Sequence, residues 1–175
     1  MKKVAVIFGG SSTERDVSLH TGLSVIEAIK NRYDVLPINL SNDFRDLNEQ
    51  LLDIDLVFLA LHGGFGEDGT IQKYLENYNI TYTGSDSKSS AIAMDKNKTK
   101  LIAKKNKIPV LNWFVINNEN EIDITRLNFP LIIKPNDGGS TIGLYFCKDK
   151  NEFNINIKKS LAFSDKTKNI FNSLN

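Results

Sequence analysis

The 175-residue sequence is short of several things at once, and each shortage removes a class of protein. One cysteine, Cys147, cannot close an internal disulfide, and with only two histidines beside it no zinc cluster of the Cys/His type can be assembled. No apolar run nears the ~20 residues that a membrane-spanning helix needs, and the apolar stretch after Met1-Lys2-Lys3 is too short for a signal peptide. Neither sign of charge dominates: 22 Lys plus Arg against 21 Asp plus Glu leave a net +1, without the basic excess of a general nucleic-acid binder. What is present is 41% hydrophobic and 25% charged residues, the balance of a globular chain that can bury a core. These features read as a cytoplasmic protein with neither nucleic acid nor membrane as a partner, and the length suits one ordinary domain or a small domain plus part of another.

Residues 3–8 are β-rich and apolar, stop at Gly9-Gly10-Ser11-Ser12-Thr13, and give way to Leu19, Leu23, Ile26 and Ile29 at helical spacing. Residues 33–40 read as a second strand, 54–61 as a central parallel strand, 70–78 as a short helix and 80–83 as one more short strand. This alternation predicts a small open α/β sheet over residues 1 to about 90. Residues 85–93 are small and polar and mark a boundary, followed by a lysine-rich helix over 94–106. Beyond it lie three β-type segments, 113–116, 131–134 and 142–147, and an amphipathic stretch at 151–163, an α+β pattern. Residues 164–175 are polar and are expected to fray, which leaves the second unit short of strands.

Three glycine-bearing loops follow apolar segments: Gly9-Gly10-Ser11-Ser12, then His62-Gly63-Gly64-Phe65-Gly66-Glu67-Asp68-Gly69, then Gly138-Gly139-Ser140-Thr141-Ile142-Gly143. In an open parallel sheet the first two emerge together at the carboxyl edge, where ligands bind. Glu14, at the start of the first helix, either improves that terminus through the helix dipole or receives an ammonium group from a ligand. His62 is either a satisfied group at a strand end or part of a site. The third loop is either a glycine-rich hairpin or a cradle of N–H groups and hydroxyls for phosphate, with Lys134 supplying charge; neither a Walker A loop nor a dinucleotide fingerprint is present.

Taken in order, Val6-Ile7-Phe8-Gly9-Gly10-Ser11-Ser12-Thr13-Glu14-Arg15-Asp16-Val17-Ser18-Leu19, Ala60-Leu61-His62-Gly63-Gly64-Phe65-Gly66-Glu67-Asp68-Gly69-Thr70-Ile71-Gln72, Tyr82-Thr83-Gly84-Ser85, Ala93-Met94-Asp95-Lys96 and Ile133-Lys134-Pro135-Asn136-Asp137-Gly138-Gly139-Ser140-Thr141-Ile142-Gly143 resemble the D-alanine–D-alanine ligases of the ATP-grasp superfamily. The resemblance covers residues 1 to about 163, the first half of such an enzyme. It implies an α/β fold: a small open parallel-sheet, Rossmann-like domain at 1–93, then the N-terminal part of an α+β ATP-grasp domain at 94–175. It also implies ATP-dependent joining of two D-alanines through an acyl phosphate, in peptidoglycan precursor synthesis, with magnesium shielding the phosphates.

By this resemblance Glu14 anchors the ammonium of the first D-alanine, and Ser140 helps to hold Glu14 and the substrate region. His62 and Gly63 stand at the substrate, Lys96 and Lys134 contact ATP phosphates, and Gly138, Gly139, Ser140, Thr141 and Gly143 form the flap over them. The resemblance puts the magnesium ligands outside this sequence and is compatible with a homodimer. The expectation is therefore an incomplete form, inactive on its own. A catalytically dead small-molecule-binding fragment and a D-alanine:D-lactate or D-alanine:D-serine ligase relative are the alternatives.

Overall fold

The computed structural model describes residues 1–41, 44, 46–116, 123 and 127–163, and the backbone of 169–173. Contacts divide the chain into two compact units, Met1–Ala91 and Ile92–Asn175. The fold is mixed α/β, with a small parallel sheet in the first unit and an antiparallel one in the second.

In the first unit, β1 (Lys3–Gly9) is buried along almost its whole length because it is the middle strand of the parallel order β2-β1-β3. Strand β2 (Asp34–Leu40) pairs with it from Lys3↔Asp34 to Gly9↔Leu40, and β3 (Leu56–Leu59) from Val4↔Leu56 to Ile7↔Leu59. The apolar run 54–61 is thus not the centre of the sheet, and β1 takes that place. Residues 80–83 do not form a strand either; they contribute one parallel bridge, Val57↔Tyr82.

Helix α1 (Arg15–Ile29) packs on β1 through a narrow stripe, and Gly22 is what permits the close approach. A Cβ at Gly22 would lie 2.4 Å from Phe8 Cγ, well inside van der Waals contact. Leu19, Val25, Ile26 and Ile29 cover Val6 and Phe8 on that face. The opposite face buries Ala5, Ile7, Val57, Ile71 and Leu75 with the short α2 (Leu47–Gln50) and α3 (Thr70–Asn77). Apolar side chains on both faces of β1 are what a covered parallel strand requires.

Helix α4 (Ser87–Met94) occupies the stretch expected to be an irregular boundary. Its composition is weakly helical, and its start is held from outside: Glu76 accepts from Ser87 N and Oγ, at 2.8 and 2.6 Å, and from Tyr82 Oη at 2.8 Å. Those hydrogen bonds, led by the Ser87 hydroxyl, hold the Glu76 carboxyl down at about 2. The lysine-rich helix expected over 94–106 starts later, as α5 (Lys96–Lys105), because Asp95 breaks from α4 in an extended conformation and caps α5, accepting from Lys98 N at 3.0 Å.

In the second unit the strand order is β4-β7-β5-β6, all antiparallel, from β4 (Trp113–Ile116), β5 (Leu131–Pro135), β6 (Tyr145–Cys147) and β7 (Asn169–Ser173). The expectation of a frayed, strand-poor end is corrected here: Asn169–Ser173 lie between β4 and β5 and complete the sheet. Their local pattern carries little strand signal, and the pairing comes from the need of two flanking backbones for partners. The rest of that tail lies outside the described residues. Helix α6 (Lys150–Leu161) seats Phe153 and Ile157 on Leu131, Ile133 and Cys147, and Asp149 caps it, accepting from Asn151 N and Glu152 N.

Candidate functional site

In the first unit, parallel pairing brings the loops after β1 and β3 to the same sheet edge, and α1 ties them. Fully buried Ser18 accepts from Gly9 N at 2.8 Å and donates to Ala60 O at 2.7 Å, so one hydroxyl joins both strand ends. Ser12 Oγ donates to His62 O at 2.5 Å and accepts from Glu14 N at 3.1 Å. Arg15 is spent on the turn itself: its guanidinium donates to Gly10 O at 2.7 Å and Leu40 O at 2.9 Å.

Glu14 occupies the N-cap position of α1, but its side chain makes no capping hydrogen bond. The carboxylate lies instead against Gly63, where a Cβ would stand 2.7 Å from Glu14 Oε2 and where φ is +65°. Glycine is required there on both counts. The His62 ring lies with Nε2 3.0 Å from Thr21 Oγ1 and Nδ1 3.8 Å from Glu67 Oε1. Glu14, His62 and Gly63 therefore share one edge, a carboxylate and an imidazole beside a glycine.

In the second unit, alternation along β5 buries Leu131, Ile133 and Pro135 and turns Lys134 to the other face. The β5–β6 connection then closes through Ile142 N donating to Gly139 O at 3.1 Å. Both residues inside that turn have positive φ, Ser140 at +51° and Thr141 at +65°. A turn with positive φ at both central positions usually holds Asn or Gly there, so a β-branched threonine is a strained choice.

Lys96, Lys134, Gly138, Gly139, Ser140 and Thr141 line a cavity of about 200 Å³. Gly143 stands beside it and closes the turn, its φ +70° and a Cβ there only 2.9 Å from Phe163 and Pro135 atoms. Lys96 Nζ donates to Gly138 O at 2.7 Å and to Asn136 O at 3.3 Å. Burial, and then the Lys134 charge, pull the Lys96 ammonium below its ordinary range. Two cations that disfavour each other beside hydroxyls and a turn rich in N–H groups gain from an anion between them. Among the described residues no group of three or more His, Cys, Asp or Glu could hold a metal ion. Among the described residues no helix is long and apolar enough to cross a membrane.

Several residues that build these two places carry no strong sequence signal. Ser18 falls within a helix face that otherwise reads apolar, and Thr21 is an ordinary helical threonine. Asn136 follows Lys134-Pro135 like any turn residue, yet it is 4% exposed and polar. Only the tertiary partners reveal what each holds.

Comparison with known proteins bears on both places. Residues 3–50 and 42–85 match the family model described as D-ala D-ala ligase N-terminus. A D-alanine–D-alanine ligase of Bacillus anthracis is 43% identical over 154 residues, which are 86% of this chain and 50% of that protein. The crystal structure of the Bacillus anthracis ligase complexed with ATP superposes with a TM-score of 0.86 at 36% identity, covering 98% of this chain and 59% of that one. The VanG D-Ala:D-Ser ligase of Enterococcus faecalis gives a TM-score of 0.82 at 30% identity, over 99% of this chain and 63% of that one. The chain spans about half the length of the curated relatives it matches.

Proposed function

We infer, from a chain whose residues 3–85 are a D-Ala–D-Ala ligase N-terminus, that it carries the amino-acid side and the phosphate side of ATP-dependent D-alanine–D-alanine ligation. The supporting observation is a division of charge that suits this chemistry. The first unit offers a carboxylate at the sheet edge, Glu14 against Gly63, and the second offers two ammonium groups beside a hydroxyl-bearing turn.

In the reaction, a carboxylate oxygen of one D-alanine attacks the terminal phosphorus of ATP, and the bond to ADP breaks. The amine of a second D-alanine then attacks the carbonyl carbon of the acyl phosphate, phosphate leaves, and the amine proton passes to solvent. Glu14 receives the ammonium of the first D-alanine, leaving its carboxylate as the reactive end. Lys96 and Lys134 neutralise phosphate oxygens, with Ser140 and Thr141 as donors beside them. Magnesium, when bound, would supply further charge neutralisation at the phosphates. The product feeds peptidoglycan precursor synthesis in the cytoplasm. A D-Ala:D-Ser ligase is the second reading, favoured by the VanG likeness, and it shares D-alanine as the amino acid at Glu14.

Calorimetric titration of D-alanine into the whole chain tests this. Glu14→Gln keeps the size and removes the charge; a hydrogen bond to a charged group contributes ~1.5–3 kcal/mol, so affinity should fall roughly ten- to a hundredfold while ATP binding stays unchanged. Equal D-alanine affinity in the two proteins refutes the assignment.

A further inference from the structure

Asn136 is a buried polar residue of the second unit that the proposed chemistry does not use. At 4% exposure it makes four hydrogen bonds with the first turn of α5. Its carbonyl oxygen accepts from Lys96 N at 3.0 Å and Lys96 Nζ at 3.3 Å. Its side-chain Oδ1 accepts from Asn97 N at 2.9 Å, and its Nδ2 donates to Asp95 Oδ1 at 3.0 Å. The first N–H groups of a helix have no partner within it, and here Asn136 takes those of Lys96 and Asn97 while Asp95 takes that of Lys98. One asparagine at the end of β5 thus fastens the start of α5, and Lys96 with it, to the segment that leads into the 138–143 turn. Lys96 Nζ on Gly138 O and Gly138 N on Met94 Sδ, at 3.3 Å, continue the same seam.

We propose that Asn136 is a positioning residue for phosphate binding: by clamping the α5 N-terminus to the end of β5 it holds Lys96, Lys134 and the 138–143 turn as one preformed site. The proposal rests on the phosphate reading of that cavity. Its physical content is that the two lysines lie on different elements, Lys96 on α5 and Lys134 on β5. Their shared claim on one anion needs those elements in fixed register, and the carboxamide alone both donates to Asp95 and accepts from Asn97. An anion then meets cations already placed against their mutual repulsion, instead of ordering them on arrival.

The carboxamide is distinguishable from a carboxylate of the same shape. In Asn136→Asp the oxygen facing Asn97 N still accepts, but the other faces the Asp95 carboxylate, so like charges meet where a hydrogen bond was. The groups facing position 136 are Asp95, Lys96 and Lys98 from the α5 turn, with Lys134 and Asp137 on its own strand end. A carboxyl pair so placed holds a proton more tightly than either acid alone, and the proton restores the bond. Asn136→Ala removes both side-chain bonds and adds no charge, so its effect is independent of pH.

The test is ATP binding by the whole chain, measured for wild type, Lys96→Ala, Asn136→Asp and Asn136→Ala from about pH 8 to about pH 5. Each is read as its ratio to wild type at the same pH, which removes the titration of ATP itself, with thermal melts confirming that each is folded. Asn136→Asp should bind roughly tenfold more weakly at the alkaline end and return to within about threefold at the acid end. Asn136→Ala should bind roughly tenfold more weakly at every pH, and it carries the test alone if Asn136→Asp does not fold. Asn136→Asp binding like wild type at all pH values, or Asn136→Ala binding ATP as tightly as wild type, overturns the positioning role while leaving the phosphate reading intact. Wild type and Lys96→Ala binding ATP equally, or neither binding it, removes the phosphate reading and this proposal together.

Discussion

Replacing Ser18 with alanine probes the joint on which the first unit's edge depends. The hydroxyl is fully buried, accepts from Gly9 N at 2.8 Å and donates to Ala60 O at 2.7 Å. Ser18→Ala removes both bonds without removing either backbone partner. Each buried group left unpaired costs ~1–3 kcal/mol, and the methyl that replaces the hydroxyl leaves little room for water to substitute. A loss of about 2–6 kcal/mol follows, a large share of the stability of any small domain. The two units can unfold separately, so a single melting curve is an ambiguous readout. Amide hydrogen exchange localises the effect: the Gly9 amide, protected by Ser18 in the wild type, should exchange much faster, together with its neighbours on β1 and β3. Because Gly9 and Ala60 end the strands that lead to Glu14 and His62, D-alanine affinity should fall too. Unchanged Gly9 exchange, or a loss under about 0.5 kcal/mol, refutes the view that this hydroxyl holds the edge together.

Two further perturbations address the turn and the α4 start. Thr141 sits at φ +65°, a conformation that costs a non-glycine residue of order 1–3 kcal/mol, so Thr141→Gly should raise stability by about 0.5–1 kcal/mol after the added unfolded-state entropy while weakening ATP binding; a destabilised variant contradicts the strain argument. Glu76, held at about 2 against an ordinary 4.5, binds fewer protons folded than unfolded, so its contribution is present above about pH 4.5 and is lost as pH falls toward 2. Tyr82, pushed up to about 12 by burial and by Glu76, contributes below about pH 10 and loses that contribution as pH rises toward 12. Glu76→Gln should flatten the acid limb of a melting-temperature-against-pH curve, and parallel acid limbs in the two proteins contradict the assignment.

The parts legible in the sequence are those where local pattern and tertiary role agree. Strand β1, its glycine turn and α1 follow from an apolar run, Gly9-Gly10 and helical spacing, and these place Glu14 at the sheet edge before any partner is known. Legibility fails where partners decide. Helix α4 owes its start to Glu76, a residue eleven positions away from Ser87, and Ser87–Met94 alone is only small and polar. Strand β7 exists because β4 and β5 flank it. The same holds in the candidate sites: Lys96, Lys134 and the glycine turn are visible as charge and punctuation, whereas Ser18 and Asn136 are ordinary polar residues until their hydrogen bonds are seen.

The central claim, an amino-acid subsite in the first unit and a phosphate subsite in the second, is tested most directly by amide chemical-shift mapping of the whole chain with D-alanine and ATP added separately. D-alanine should move resonances around Glu14, His62 and Gly63, with L-alanine moving them far less, and ATP should move those of 134–144 and the first turn of α5. Shifts from D-alanine that avoid Glu14 and Gly63, or from ATP that leave the 138–143 turn untouched, contradict the account.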